Sequence, residues 1–421
     1  MNASAAPAPG HDPSGSAPGQ DWRRFAQVHW AREPVVVPGV RPLGIGPADA
    51  HALVRAAIAA APARRVRLAT ADGWLRDPGP LLPGPGDPDP AGYAERLARE
   101  PRLAGDGWLL TVADPLSHDF ALWSRVRDVL ADLWRHVGQA PLPVTAELAV
   151  GDRHHSLEDA TARTDAGALT WVLDGELTVR VRPEHTGTEY ALRARAGDMV
   201  HWPAGGSHLD HRPGRCTTLR LSVPARTTSA LPLVADVLAD LIRDRPGRPD
   251  GQLALPHPMP SAPDGRLSAP PRLAASVALL TDTLAGPAPE RALLMRWAAL
   301  RSAAGLDPAP PRRPAVRLTP RHRLRRAAEI VRLPIEGGPT VWAANGHAWE
   351  AHPAGADAVL ARLRTAPRAV TVAELARAAR TSADDPGLLS LLGEAYRARA
   401  VTAAPERPQR LGHLERLERR S

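Results

Sequence analysis

Between Gly151 and Val223 apolar and polar residues alternate and the breakers fall at set points, which limits the fold more than any other part of the chain. Its most legible segment runs Ala194-Arg195-Ala196-Gly197-Asp198-Met199-Val200-His201-Trp202-Pro203-Ala204-Gly205-Gly206-Ser207-His208. A Gly-Asp turn opens a short apolar strand, a Pro-Ala-Gly-Gly turn closes it, and a histidine follows where the chain re-enters a sheet. Upstream, Ala168 to Leu173 and Glu176 to Arg182 read as two strands of a hairpin turned at Asp174-Gly175. Downstream, Cys216 to Val223 alternates in the same way. This is the pattern of a small β-barrel that presents one histidine, His208, to its interior.

The rest of the chain is read around that core. Residues 1–20, rich in Ala, Pro, Gly and Ser and without an apolar core, read as a disordered tail and not as a signal peptide. Asp21 to Trp30 reads as a helix with His29 and Trp30 as core and cap, and Glu33 to Gly39 as a strand stopped by Pro-Gly. Pro47 to Ala61 is a helix, Val66 to Leu68 and Trp108 to Val112 are strands, and Phe120 to Val137 is a strong amphipathic helix. Beyond Pro224 the pattern turns helical, with helices at Leu231 to Arg243, Arg272 to Leu284 and Pro289 to Ala304. From Val316 to Ala404, a hairpin at Asn345-Gly346 adjoins helices at Ala356 to Arg364, Val372 to Ala379 (Thr371 as N-cap) and Leu388 to Arg397, a winged-helix-like grouping. The expected divisions are a tail at 1–20, a barrel domain at 21–226, a helical segment at 227–315, a winged-helix-like domain at 316–404 and a basic tail at 405–421.

Composition narrows the partners. The 53 basic residues are all arginine, and against 45 acidic residues they leave a net charge of +8. With 46 prolines and abundant alanine, that bias reads as a coding background and not as selection for nucleic acid. Val372 to Ala379 offers a DNA groove only Arg377 and Arg380, so nucleic acid is not an expected partner. One cysteine, Cys216, excludes an internal disulfide framework and fits a cytoplasmic protein. No apolar run approaches the ~20 residues a membrane helix needs. There is no phosphate loop, no zinc cysteine pattern and no Ser/His/Asp order.

The Gly-Asp-x-x-x-Trp-Pro-x-x-x-x-His run ending at His208, with the strands about Gly175, resembles the cupin superfamily. More narrowly it resembles the JmjC-type Fe(II)/2-oxoglutarate oxygenases of the ribosomal-oxygenase and cupin-like groups. The opening helix and strand at Asp21 to Gly39 extend that resemblance upstream. It implies an α+β fold built on a double-stranded β-helix with flanking helices, a helical segment that either makes a dimerisation bundle or simply covers the barrel, and a C-terminal winged helix. It also implies a peptide or protein side-chain hydroxylase using Fe(II) and 2-oxoglutarate, with a peptide or protein substrate and a homodimeric state.

The same resemblance locates the site and shows where this chain departs from it. Iron in that family is held by a His-x-Asp or His-x-Glu pair and a distal histidine. The distal position falls on His208. The pair, counted back from Gly175, falls on Ala162-Arg163-Thr164, which cannot ligate iron. Asp165 offers a carboxylate one residue on, and the cluster at His154, His155, Glu158 and Asp159 offers others, with a solvated polar loop as the plainer reading. The family's cation for the 2-oxoglutarate carboxylate falls on Leu177, with Arg193 and Arg220 on neighbouring strands as substitutes. Trp171, Leu177 and Trp202 are expected to line the pocket. His201, opposite in parity to Trp202, is expected at the surface or rim, and His211 with Asp210 as a loop pair. Three functions follow: an oxygenase with a rearranged site, a catalytically silent scaffold that binds a peptide or protein and holds no cofactor, and a cupin/winged-helix regulator.

Overall fold

The computed structural model describes residues 18–39, 43–60, 65–101, 103, 107–156, 165–184, 187–224, 229–244, 271–335, 339–351 and 355–404. The positions 158, 159, 162 and 164, the linker from 246 to 270 and both tails lie outside these. The chain divides into two compact units, one formed by Met1–Ala113, Arg125–Ala140 and Glu147–Arg226, the other by Asp114–Ser124, Pro141–Ala146 and Thr227–Ser421.

Among the described residues the first unit is built on eleven strands: β1 Val35–Val37, β2 Val66–Thr70, β3 Gly73–Trp74, β4 Trp108–Ala113, β5 Thr145–Asp152, β6 Ala166–Asp174, β7 Glu176–Pro183, β8 Tyr190–Arg195, β9 Met199–Trp202, β10 Gly206–His211 and β11 Cys216–Pro224. Eight of them make one sheet in the order β1-β9-β6-β11-β5-β4-β2-β3, and three make a second in the order β10-β7-β8. Inner faces of the two sheets share one core: Ala168, Val172, Val200, Trp202 and Cys216 of the larger sheet meet Leu177, Val179, Val181 and Ala194 of the smaller. Alternation along β7 sends Leu177, Val179 and Val181 inward and leaves Arg180 and Arg182 exposed, as its sequence indicates.

Asp174-Gly175 is not a hairpin. The strands on either side of it belong to different sheets, so the glycine is a corner. Gly175 holds φ +76°, and a Cβ there would lie 2.0 Å from the Arg215 carbonyl oxygen. Only glycine supplies both the left-handed conformation and the close approach. The Gly197-Asp198 turn is pinned by the Asp198 carboxylate, which accepts from the Arg195 and Gly39 amides, each at 3.0 Å.

His201 is buried, contrary to the surface or rim position its parity suggests. Its strand face is covered by the N-terminal helix Pro18–Val28 and the turn after it: the imidazole stacks on Trp30 at 5.4 Å, meets Phe25 edge-on at 5.1 Å, and lies 2.9 Å by Nδ1 from the Ala168 carbonyl oxygen. His29 pairs with Glu33 at 3.0 Å.

In the second unit, helices Leu231–Arg243, Pro271–Leu284 and Ala288–Ser302 are followed by two three-stranded sheets. These join β12 Arg323–Arg326 to β16 Val370–Thr371 and β17 Val401–Ala404, and β13 Val331–Leu333 to β14 Val341–Ala344 and β15 His347–Glu350. The turn between β14 and β15 has Asn345 and Gly346 at positive φ, the type I′ hairpin expected of Asn-Gly. Thr371 and Glu374 form a reciprocal capping box at the helix Val372–Ala379. Helices Ala356–Thr365, Val372–Ala379 and Pro386–Arg397 close a core that includes Trp342, Leu360, Leu375, Leu392 and Val401.

Candidate functional site

Three inward-facing positions on β10 and just past it, His208, Asp210 and Arg212, repeat every second residue and so share one face. Opposite them, β11 turns Thr218 and Arg220 inward and β6 contributes Thr170, which pairs in register with Arg220. These side chains meet between the sheets. Arg220 donates to both Asp210 oxygens, at 3.0 and 2.7 Å, and by Nε to Thr170 Oγ1 at 3.1 Å. Its Nη1 lies 3.3 Å from His208 Nε2, and its guanidinium lies 4.8 Å from the centre of the Trp202 ring. Arg212 donates by Nη2 to Asp210 at 3.3 Å and to Thr218 at 3.4 Å.

Burial alone would raise the Asp210 carboxyl, but Arg220 and Arg212 outweigh it and hold the acid well below the usual carboxylate range. His208 is driven the other way: burial, and then the Arg220 cation beside it, bring its imidazole down to about 4. It is neutral at pH 7, and the guanidinium N–H points toward its Nε2 lone pair. His154 is likewise brought down to about 4 by burial and by Arg212, and neither ring nitrogen has a hydrogen-bond partner. Burial pushes the Cys216 thiol up to about 12, which makes it an unreactive core group.

The other sequence candidates fall elsewhere. His155 is exposed and stacks on His211 at 4.0 Å, the two residues forming an isolated bridge. Asp165 is exposed just ahead of β6, and Glu158 and Asp159 lie outside the described residues. Arg193 is exposed on the outer face of β8, where with Glu176, Thr178, Arg180 and His155 it lines a groove of about 490 Å³. Leu177 and Trp202 face the inter-sheet core, but Trp171 does not. Its neighbours Thr170 and Val172 face inward, so Trp171 occupies the other face of β6, beside Leu43 and Ile45. Asp210, expected in a loop pair with His211, lies in β10, and Arg212 continues its face; the period-two repeat His208, Asp210, Arg212 is the sequence signal for this.

Among the described residues the arrangement does not fit an iron centre. A metal would need the Nε2 lone pair of His208 and a carboxylate with free lone pairs, and Arg220 lies on the first and is bonded to both oxygens of the nearest second. Among the described residues no group of three His, Cys, Asp or Glu side chains is placed to hold a metal ion.

The chain resembles solved structures at low sequence identity. It is similar to a ribosomal oxygenase. A structure of YcfD from Escherichia coli, a ribosomal oxygenase, covers 91% of this chain and 97% of its own at 17% identity and a TM-score of 0.44. The same protein in complex with cobalt and 2-oxoglutarate covers 91% and 98% at 16% identity and a TM-score of 0.45, and another YcfD structure reaches 0.47 at 16% identity with the same coverage. At that level of superposition no site residue carries across. No family model matches the chain, and no curated protein is similar to it in sequence.

Proposed function

We propose that this chain is a catalytically silent binding scaffold of the cupin/JmjC kind, in which an arginine takes the place of the metal. The observation that carries this reading is Arg220, held on both oxygens of Asp210 with its Nη1 3.3 Å from His208 Nε2. An internal cation satisfies the buried carboxylate that an ion would otherwise satisfy, and it faces the histidine that would ligate one. In this reading the two packed sheets are a double-stranded β-helix, the C-terminal sheets and helices are a winged helix, and the partner is a peptide or protein. Apolar side chains exposed on the helices that follow the barrel, Leu231, Val277, Leu280, Leu284 and Trp297, support a self-associating surface.

A second reading, a peptidyl hydroxylase with Fe(II) and 2-oxoglutarate, is favoured by one feature. His154 is buried, neutral and without a partner on either ring nitrogen, which suits a ligand histidine. Turnover separates the two. The full chain supplied with Fe(II), ascorbate, 2-oxoglutarate and a ribosomal-protein peptide pool should form no succinate above a no-enzyme control. Succinate formation abolished in His208→Ala would establish the hydroxylase instead.

A further inference from the structure

The charges between the sheets do not balance. Arg212 and Arg220 bring two positive charges to the one negative charge of Asp210. Among the described residues this leaves one positive charge uncompensated in the interior, a costly arrangement without a counter-ion. The excess resides on Arg212. Arg220 holds Asp210 through two bonds, whereas Arg212 reaches it through Nη2 alone, and its Nε and Nη1 donors have no acceptor although the residue is 1% exposed. His154, whose backbone carbonyl accepts from the Arg212 amide at 2.9 Å, adds a buried ring N–H without an acceptor. Gly151 packs against the Arg212 stem, where a Cβ would lie 3.2 Å from Cδ. Donors gathered around an excess positive charge describe an anion's surroundings.

We infer that Arg212 and His154 form a buried site for one small monovalent anion of formate or chloride size. This site is distinct from the Arg220–Asp210 pair, and it rests on the reading that no metal is bound between the sheets. One negative charge neutralises the interior. A ligand that binds only the folded chain stabilises it by mass action, and bulky gluconate, excluded from an enclosed site, serves as the control.

The test is thermal unfolding of the full chain at fixed ionic strength, replacing sodium gluconate stepwise with sodium formate or chloride. The expected result is a saturable rise in Tm of about 3 °C in wild type, absent from Arg212→Met, in which the excess charge is gone. Should Arg212→Met not fold, wild-type crystals grown in bromide decide the matter, with an anomalous peak expected beside Arg212 Nε or Nη1. Equal Tm in formate and gluconate, or no bromide peak, overturns the proposal. Iron content measured on the same preparations separates the two claims. Bound iron with the anion response intact would defeat the metal-free reading alone, and an absent response without iron would defeat the anion site alone.

Discussion

Arg220 is the side chain on which the interior depends. Truncating it in Arg220→Met leaves Asp210 buried with only the longer Arg212 contact, and breaking a buried pair in that way costs about 3–5 kcal/mol. Arg220→Lys should recover little of this, because one ammonium cannot reach Asp210, Thr170 Oγ1 and His208 Nε2 together as the three guanidinium nitrogens do. Urea midpoints of the two variants within a few tenths molar of wild type would refute that role. The buried histidines set a pH dependence of their own. His154, His201 and His208 each titrate near 4 in the folded chain and near 6.5 when unfolded. Between those values the unfolded state binds more protons. Their contribution is therefore fully present above pH 6.5 and is lost as pH falls toward 4, while Asp210, held below the usual carboxylate range, stays ionised across the window. The urea midpoint should fall steeply from pH 7 to pH 5, and a flat profile would contradict the neutral burial of these rings.

At the scale of elements, the period-two pattern of β7, the Gly197-Asp198 turn, the Asn345-Gly346 hairpin and the Thr371 cap were all legible, because each is fixed by residues adjacent in sequence. What was not legible depends on what lies across from a strand. His201 has the parity of an outward residue, yet an aromatic helix covers that face. Trp171 and Trp202 are equally apolar, and only the pairing of β6 with β9 and β11 shows that they lie on opposite faces. Asp174-Gly175 has hairpin composition, but the Arg215 carbonyl packed against the glycine makes it a corner between sheets. Gly175→Ala should therefore fail in two ways, by forcing a positive φ on a side chain and by a clash with fixed backbone. The expected outcome is loss of soluble protein or a destabilisation above about 2 kcal/mol. A variant as stable as wild type would show that the corner relaxes freely.

Over the whole molecule, the succession of a strand-rich stretch, three helices and a stretch of small sheets and helices is legible from turn chemistry and periodicity. The candidate site was half legible. His208 and Arg220 could be selected by strand parity, but their meeting with Asp210 depends on a contact between two sheets that no local pattern encodes. In the proposed reading that contact is what separates a scaffold from an oxygenase, and metal uptake by the full chain tests it most directly. Anaerobic calorimetric titration of wild type with Fe(II) should give no saturable heat at protein concentrations of tens of micromolar, and Arg220→Ala, with the lone pairs of His208 and Asp210 released, should bind more strongly than wild type. Stoichiometric iron binding by the wild-type chain, lost in His208→Ala, would contradict the account.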